Sequence, residues 1–433
     1  MKLVLGLEIH LQLKTKNKMF CGCSADIWQA EPNSHTCPTC LGLPGALPVP
    51  NGEAIKYTQM LGLELKSTLK ENSKFDRKHY FYPDLPKGYQ ISQYKEPLCE
   101  GGYMDLSSGN RIELERIHLE EDTAKSFHRG NKTLIDFNKS GIPLMEIVTL
   151  PTFKSVEDGV EFCQKIRSMV RFMGISDADM EKGQMRIEPN ISVRTEEMEK
   201  ENKLPDYKVE VKNINSFKFM EKAVRAEVAR QIEVLESGGG LVQENRGYDE
   251  KSGTTLPQRT KEEAHDYRYF PEPDIPPMVF DEKYFEELRE NAAELPDAMI
   301  ARFGKEYGLR REIAARMVNT FGLAATKKFE EMVARGADPQ KAANLIINKK
   351  EFLEADVKDA IKVLEQVTVV IEDKDKLEKI VSKIVKQNPQ AVEDFKKGKE
   401  SSVEFLLGMA MRETRGKADP TITRELIKDQ LGV

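Results

Sequence analysis

A histidine followed closely by three carboxylates, His118-Leu119-Glu120-Glu121-Asp122, ends a strand-like segment that begins at Arg111. A second polar pair, Glu8 and His10, stands in a cleaner strand near the N-terminus. Neighbouring carboxylates repel, and folding them together raises their pKa values unless a cation holds them. Oxygen-rich clusters of this kind suit a hard ion such as magnesium, with substrate phosphates completing its shell. Taken alone, the five-residue stretch reads more simply as an acidic turn facing solvent. The strands that must position it decide between these readings.

Leu7, Ile9, Leu11 and Leu13 alternate with Glu8, His10 and Gln12, so one face is apolar and the other polar. The same alternation sets Met185, Ile187, Ile191 and Val193 against Arg186, Glu188, Asn190, Ser192 and Arg194. It recurs with Tyr207, Val209 and Val211 against Lys208, Glu210 and Lys212. Between Leu114 and Ile117 the period slips by one residue, which predicts a bulge and puts His118 and Glu120 on one face. Helices are expected near Gly52 to Leu63, from Val156 to Phe172, and from an N-cap at Ser216 to the Gly238-Gly239-Gly240 stop. The economical arrangement is α+β: a mixed or antiparallel sheet with helices on its apolar side. Its other face then gathers Glu8, His10, Glu120, Glu188 and Glu210. Carboxylates brought together from several strands read as a site and not as a solvated surface.

Composition sets the frame. The 433 residues exceed what one core usually serves, so two or three domains are expected. With 39% hydrophobic and 32% charged residues the chain reads as soluble, and no apolar run approaches a membrane span. The N-terminus alternates where a signal peptide would be a solid apolar block, so a cytoplasmic location is expected. A net charge of −6 argues against an overall basic nucleic-acid binder but leaves room for basic patches. Four of six cysteines fall in two pairs, Cys21-x-Cys23 and Cys37-x-x-Cys40, which in a reducing compartment reads as a structural zinc knuckle. Cys99 and Cys163 read as ordinary buried thiols.

Two segments interleave aromatics with charge, Phe75 to Gln93 and Asp266 to Asp274. Each reads as a surface on which bases or a ribose stack while cations meet phosphates, or as a packed loop whose tyrosines cap a core edge. No G-x-x-x-x-G-K-[ST] loop, G-x-S-x-G elbow or cysteine–histidine nucleophile is present. What remains is electrostatic chemistry: carboxylates holding magnesium, magnesium holding phosphates, and lysines neutralising developing charge. After Pro273-Asp274-Ile275-Pro276-Pro277 the pattern turns helical, with Gly304, Gly308 and Gly336 expected as stops and a β-branched run at Val367 to Ile371 interrupting it. The last sixty or so residues are locally basic, which suits either a phosphate backbone or a solvated helix face.

Gly6 to Leu13, Tyr80 to Gln93, His118 to Asp122, Gly141 to Val148, Glu210 to Phe217 and Asp266 to Asp274 together resemble the GatB family, the carboxylate-activating component of the tRNA-dependent amidotransferases. The likeness runs along nearly the whole chain with the motifs in the same order. It implies ATP-dependent activation of the side-chain carboxylate of misacylated Glu-tRNA(Gln) or Asp-tRNA(Asn) as an acyl phosphate. Ammonia supplied by a separate amidase component, GatA, then displaces the phosphate, and a small third component, GatC, completes the heterotrimer. The resemblance further implies catalytic roles for Glu8, His10, Glu120, Glu121 and Glu210, with Glu8, His10, Glu121 and Glu210 on magnesium. Tyr82, Lys87, Tyr89 and Lys212 are implied on the substrate, and zinc on Cys21, Cys23, Cys37 and Cys40. Lys396, Lys397, Lys399, Arg415 and Lys417 fall in the part that resembles the tRNA-binding tail.

The implied architecture is a cradle over 1–281 holding the knuckle at 21–40, a helical domain over 282–365 and a helical tail over 366–433. Two departures stand out. Glu188-Pro189-Asn190-Ile191-Ser192 stands where relatives commonly carry Asp, which changes the reach of that acid, and Ala343 to Val370 is shorter than usual. The alternatives are the archaeal paralogue GatE, whose large insertion before the tail is not seen here, and a zinc-stabilised tRNA-binding scaffold without catalysis.

Overall fold

The computed structural model describes residues 1–212, 214–260, 267–290, 294, 296–353, 355–368, 374–396, 399, 401–414 and 418–432. The chain divides into two compact units, Met1–Met299 and Ile300–Val433. The first opens with β1 (Lys2–Gln12), α1 (Gly52–Glu64), β2 (Asp76–His79), β3 (Tyr89–Ser92) and β4 (Arg111–Glu121). It continues through β5 (Lys125–Arg129), β6 (Lys132–Asp136), β7 (Pro143–Thr149), α2 (Val156–Phe172) and β8 (Met185–Arg194). It ends with β9 (Val209–Lys212), α3 (Phe217–Glu236), β10 (Glu244–Asp249), β11 (Thr254–Thr260), β12 (Phe270–Pro271) and α4 (Glu282–Glu290).

A ten-stranded sheet organises this unit in the order β11-β10-β9-β8-β1-β7-β4, continued by Cys99–Glu100 and Thr68–Leu69, with Tyr103–Asp105 beside β4. Pairing is antiparallel except between β9 and β10. The first strand of the chain is therefore central, flanked along most of its length by β8 and β7. Its Leu5, Leu7, Ile9 and Leu11 point to the apolar side, in one core with Phe162, Ile166 and Val170 of α2 and Met220 and Val224 of α3. A mixed sheet with helices is the α+β arrangement that the alternation calls for.

Local chemistry sets the helix starts. Asn51, Ser155 and Ser216 accept N–H groups of the first turns of α1, α2 and α3. The slip in β4 is a real irregularity: Arg116 faces Val148 and Leu114 faces Thr149, leaving Glu115 as the extra residue. Helix α4, expected to open a separate helical domain, belongs to the first unit, where the Tyr284 hydroxyl donates to Gln59 Oε1 at 2.5 Å.

In the second unit the helices Lys374–Gln387, Pro389–Lys396, Ser401–Glu413 and Pro420–Leu431 enclose a core around Leu377, Val381, Leu406 and Ile427. Gly304, expected as a stop, lies inside the helix Pro296–Tyr307, and the stop comes at Gly308 with φ +64°. Of the β-branched run, Val367 lies in the last turn of the helix Val357–Thr368, and Val369 to Ile371 lie outside the described residues. No helix among the described residues is long and apolar enough to cross a membrane.

One buried polar knot ties α3 to the sheet. Glu227 is fully buried and accepts from Arg230 at 2.7 Å, Gln231 at 2.8 Å and Thr255 at 2.5 Å, with Arg246 at 3.5 Å. Removing the carboxylate strands two guanidinium groups against the core. Glu227→Ala should therefore lower the unfolding free energy by about 3–5 kcal/mol in urea titrations. A loss under about 1 kcal/mol would mean that solvent reaches the knot.

Candidate active site

Register explains how distant residues meet. In an antiparallel pair, residues facing each other share a side of the sheet, and alternate residues return to it. Glu8 faces Glu188, His10 faces Arg186 on one flank and Glu146 on the other, and Glu146 faces His118. Asn190 faces Glu210, which in turn faces Asn245. Glu120, two positions beyond His118, joins the same face. These residues line an open cleft of about 710 Å³, roofed on one side by Tyr80, Tyr94, Tyr267 and Tyr269. Tyr94 and Tyr269 stack at 4.3 Å, and Lys78 Nζ stands 5.0 Å from the Tyr267 ring centre.

At the cleft floor, ligand-capable atoms of His10, Glu120 and Glu146 lie within 4.8 Å of one another. His10 Nε2 is 3.6 Å from Glu146 and 3.8 Å from Glu120, while His118 Nε2 is 3.3 Å from Glu146. Burial alone would lower the His10 pKa, but Glu146, Glu188 and Glu120 raise it to about 9. Burial would raise that of Glu146, yet His118 and His10 hold it well below the usual carboxylate range. Glu120 is shifted up, first by burial and then by the charge of Glu146. Glu8 moves up likewise, by burial and by Glu146, Glu210 and Glu188. The Nδ1 atoms of both histidines are buried without a partner. A buried group with surplus negative charge and unsatisfied imidazole nitrogens fits a divalent cation.

Toward β9 a second group forms. Asn190 donates to Glu8 at 2.9 Å, and Lys212 bridges Glu188 at 2.7 Å and Glu210 at 2.5 Å. The carbonyl oxygens of Asn190 and Asn245 are buried here without partners. Beyond His118, Asp122 accepts from Lys139 at 2.9 Å, Arg186 at 3.2 Å and Gln12 at 2.7 Å. Burial opposes ionisation of Asp122, but Arg186 and Lys139 prevail and hold it deprotonated. Asp122, which lines the cleft, thus fixes two cations beside it.

The structure brings Glu8, His10, Glu120, Glu210, Tyr82 and Lys212 to this cleft and places Glu121, Lys87 and Tyr89 elsewhere. Glu121 follows Glu120 on a strand, so it points through the sheet: it accepts from Lys87 and, at 3.0 Å, from the Ile91 N–H. Glu121, Lys87 and Tyr89 line a separate small cavity beside Cys21 and Cys40. Tyr89 also carries Arg77 over its ring at 4.3 Å. Lys396 and Lys399 lie in the second unit, and Lys397, Arg415 and Lys417 lie outside the described residues.

Glu146, Lys78 and Arg186 were not singled out from the sequence. Strand β7 is buried along its whole length, so it shows no alternation to betray Glu146; the only signal was an acid inside an apolar run.

The four paired cysteines also converge. Their sulfur atoms lie within 4.8 Å of one another. The Cys21 thiol hydrogen-bonded to Cys40 lowers the Cys40 pKa to about 4, against burial and with help from the Cys37 N–H and Lys18. The Cys37 N–H meets Cys40 Sγ at 3.1 Å and Lys18 Nζ meets it at 3.7 Å. Four sulfurs with donors aimed at one of them fit a tetrahedral metal site. Cys99 and Cys163 are buried, and their thiols are raised by burial alone.

A profile described as the GatB/GatE catalytic domain matches residues 3–286, and one described as the GatB domain matches residues 350–431. A protein from Carboxydothermus hydrogenoformans is 42% identical, covering 99% of this chain and 98% of its own length. Proteins from Caldanaerobacter subterraneus and Thermotoga neapolitana are each 40% identical, both covering 99% of this chain and 98% of their own lengths. All three are named as the B component of an aspartyl/glutamyl-tRNA(Asn/Gln) amidotransferase.

The raised His10 pKa has a measurable sign. Between the ordinary value of 6.5 and about 9 the folded state holds a proton that the unfolded chain has lost. Its contribution is complete below pH 6.5 and disappears as the pH rises to 9. In chelator-treated protein the unfolding free energy should fall by about 1–3 kcal/mol across that window, and His10→Gln should flatten the profile. An unchanged slope in the variant would assign the titration to another group.

Proposed function

The chain belongs to the GatB/GatE family, and from that premise we propose that it is the carboxylate-activating component of a tRNA-dependent amidotransferase. Its substrates in this reading are misacylated Glu-tRNA(Gln) or Asp-tRNA(Asn), and ATP. The observation that carries the reading is the His10–Glu120–Glu146 group at the floor of a cleft large enough for a triphosphate and an aminoacyl end. The name of the relatives denotes one component of a larger assembly. The partners in this reading are the amidase GatA and the small protein GatC in a GatCAB heterotrimer, and the compartment is the cytoplasm. Residues 366–433 serve as the tail that contacts the tRNA body.

A side-chain carboxylate and a triphosphate are both anionic, so their encounter is opposed by charge. His10, Glu120 and Glu146 would hold magnesium, with Glu8 and Glu210 beside them, and the ion would supply positive charge to the phosphate oxygens. The chain's own residues do the rest. Lys78 stands near Glu120 and Glu146 with its ammonium under the tyrosine roof, placed to neutralise charge on the transferred group. Arg186 and Lys139 are held by Asp122 at the wall, pre-oriented without cost at the moment of reaction. Phosphorylation turns the carboxylate oxygen into a leaving group, and attack by ammonia at that carbon expels phosphate and leaves the amide. Tyr80, Tyr94 and Tyr269 give the aminoacyl end a stacking surface that also limits water, on which an acyl phosphate would be lost. Tyr82 and Lys212, at the same cleft, are substrate contacts in this reading, whereas Lys87, Tyr89 and Glu121 act from the other side of the sheet.

The test is amidation of misacylated tRNA by the assembled complex with ATP and free ammonia as nitrogen donor. His10→Ala and Glu146→Gln should each lower the rate by at least about a hundredfold while leaving tRNA affinity within about threefold. Full activity in both variants would remove the cleft from the chemistry.

The knuckle is proposed as a structural zinc site closed by Cys21, Cys23, Cys37 and Cys40. Protein purified under reducing, chelator-free conditions should contain zinc at one equivalent, about 1 mol per mol. The Cys40→Ser variant should lose it, and its absence from the unaltered protein would refute the assignment.

A further inference from the structure

Strands β5 and β6 form a two-stranded sheet of their own, joined by a tight Gly130-Asn131 turn. Every residue of β5 is exposed, as are the first three of β6. Such an isolated ribbon is marginal in water unless something holds it and something uses it.

The register gives the ribbon a polarity of its own. Lys125 faces Asp136, Phe127 faces Leu134 and Arg129 faces Lys132. Lys125, Phe127, Arg129, Lys132 and Leu134 therefore share one side, on which two cations stand directly opposite each other. Like charges in that position destabilise a hairpin unless an anion lies across them. The one carboxylate of the ribbon, Asp136, is engaged elsewhere, accepting the N–H groups of Asn33 at 2.9 Å and Asn138 at 3.0 Å. No ion pair joins Lys125, Arg129 or Lys132 to any described residue. The ribbon carries three cations against one carboxylate, a net charge of +2, in a chain whose net charge is −6. Phe127 and Leu134 remain 39% and 49% exposed between those cations. Cations interleaved with an exposed ring make a surface for phosphates and the sugars or bases between them.

The ribbon springs from the cleft wall at Asp122 and Thr123. Lys125 follows Asp122 by three positions and Asp136 precedes Lys139 by three, and Asp122 and Lys139 pair at 2.9 Å. A nucleic acid entering the cleft past Asp122 would lay its last phosphates along that rim.

The brace is the four-cysteine loop. Between the two cysteine pairs, Asn33 donates from Nδ2 to the Ile135 carbonyl at 3.2 Å and accepts the Phe137 N–H at 2.7 Å. The His35 N–H reaches Asn138 Oδ1 at 2.7 Å, and Asn138 Nδ2 reaches the Glu31 carbonyl at 2.7 Å. Asn138 is buried, and Ser140 Oγ binds the Cys40 carbonyl at 3.2 Å.

We propose that the Lys125–Phe127–Arg129–Lys132 side of this ribbon grips the phosphodiester backbone beside the acceptor end of the RNA substrate, and that the cysteine loop aims it. The inference rests on the functional reading above, which supplies an RNA as substrate.

The experiment measures the dissociation constant of the assembled complex for misacylated tRNA over a range of salt, without turnover. Replacing Lys125, Arg129 and Lys132 together by Gln should weaken binding at low salt tenfold or more. Each lost phosphate contact should also flatten the log–log salt slope by about 0.7–0.9, so by roughly 2 in total. Lys125→Arg, Arg129→Lys and Lys132→Arg combined should stay within threefold of the unaltered complex. Asn33→Gly removes two tethers and no charge at a position with φ +60°, where glycine is unstrained, and should raise the dissociation constant several-fold. Unchanged affinity and slope in the Gln triple variant would overturn the proposal. So would loss of complex assembly with tRNA affinity intact, since the ribbon would then be a protein contact. Failure of the unaltered complex to amidate tRNA is a separate result and speaks against the functional reading itself.

Discussion

Five carboxylates, Glu8, Glu120, Glu146, Glu188 and Glu210, share one face of one sheet, and the first unit is arranged around keeping them there. Water would screen their mutual repulsion if the face were open, but a tyrosine roof and flanking strands bury most of it. Compensation is therefore local and specific. Glu146 lies between two histidines, Glu188 and Glu210 share Lys212, and Asp122 at the margin holds Arg186 and Lys139. What is left over sits on Glu8 and Glu120, whose pKa values are driven up by burial and by their neighbours. Beside Glu120 the buried Nδ1 atoms of His10 and His118 also lack partners. A fold optimised only for stability would not leave surplus charge there, which is why the gap reads as a place for a cation.

The centrality of β1 makes this possible. Its two neighbours bring Arg186 and Glu188 on one flank and Glu146 on the other, so His10 meets a charged residue left and right. Its apolar side packs on α2 and α3, and α3 is locked in turn by the Glu227 knot to β10 and β11. The site's precision thus depends on helices on the far side of the sheet that touch none of its ligands.

Much of this was legible from period-two alternation. β1, β8 and β9 each show an apolar side and a polar side, and α3 announces itself by its Ser216 cap and its glycine stop. The failures have physical reasons. Glu121 was implied beside Glu120 by the resemblance, yet neighbours on a strand cannot share a face, and the motif hid what the period states. Glu146 was overlooked because a strand buried on both sides carries no alternation. Lys87 and Tyr89 were implied on the substrate by the resemblance of their loop, and a matching motif does not tell which side of a sheet each of its side chains reaches. The β5–β6 ribbon was missed because Phe127 and Leu134 look like core residues until the register shows that nothing covers them.

Glu120 and Glu121 show what a single step along a strand accomplishes. One carboxylate enters a wide cleft with its pKa raised, beside histidines and a lysine. The next passes to the opposite side and is held by Lys87 and a backbone N–H in a cavity bordered by the cysteine loop. The backbone between them cannot shift to suit one without moving the other, because β4 is paired to β7 through both residues. Packing around the cysteine loop therefore sets the position of Glu120 through the peptide bond that links it to Glu121. A change at Cys40 or Gly141, which lies within 3.9 Å of the Glu121 carboxylate at its Cβ position, reaches the cleft by that route. The knuckle and the acidic floor are two sides of one strand, and the strand is what couples them.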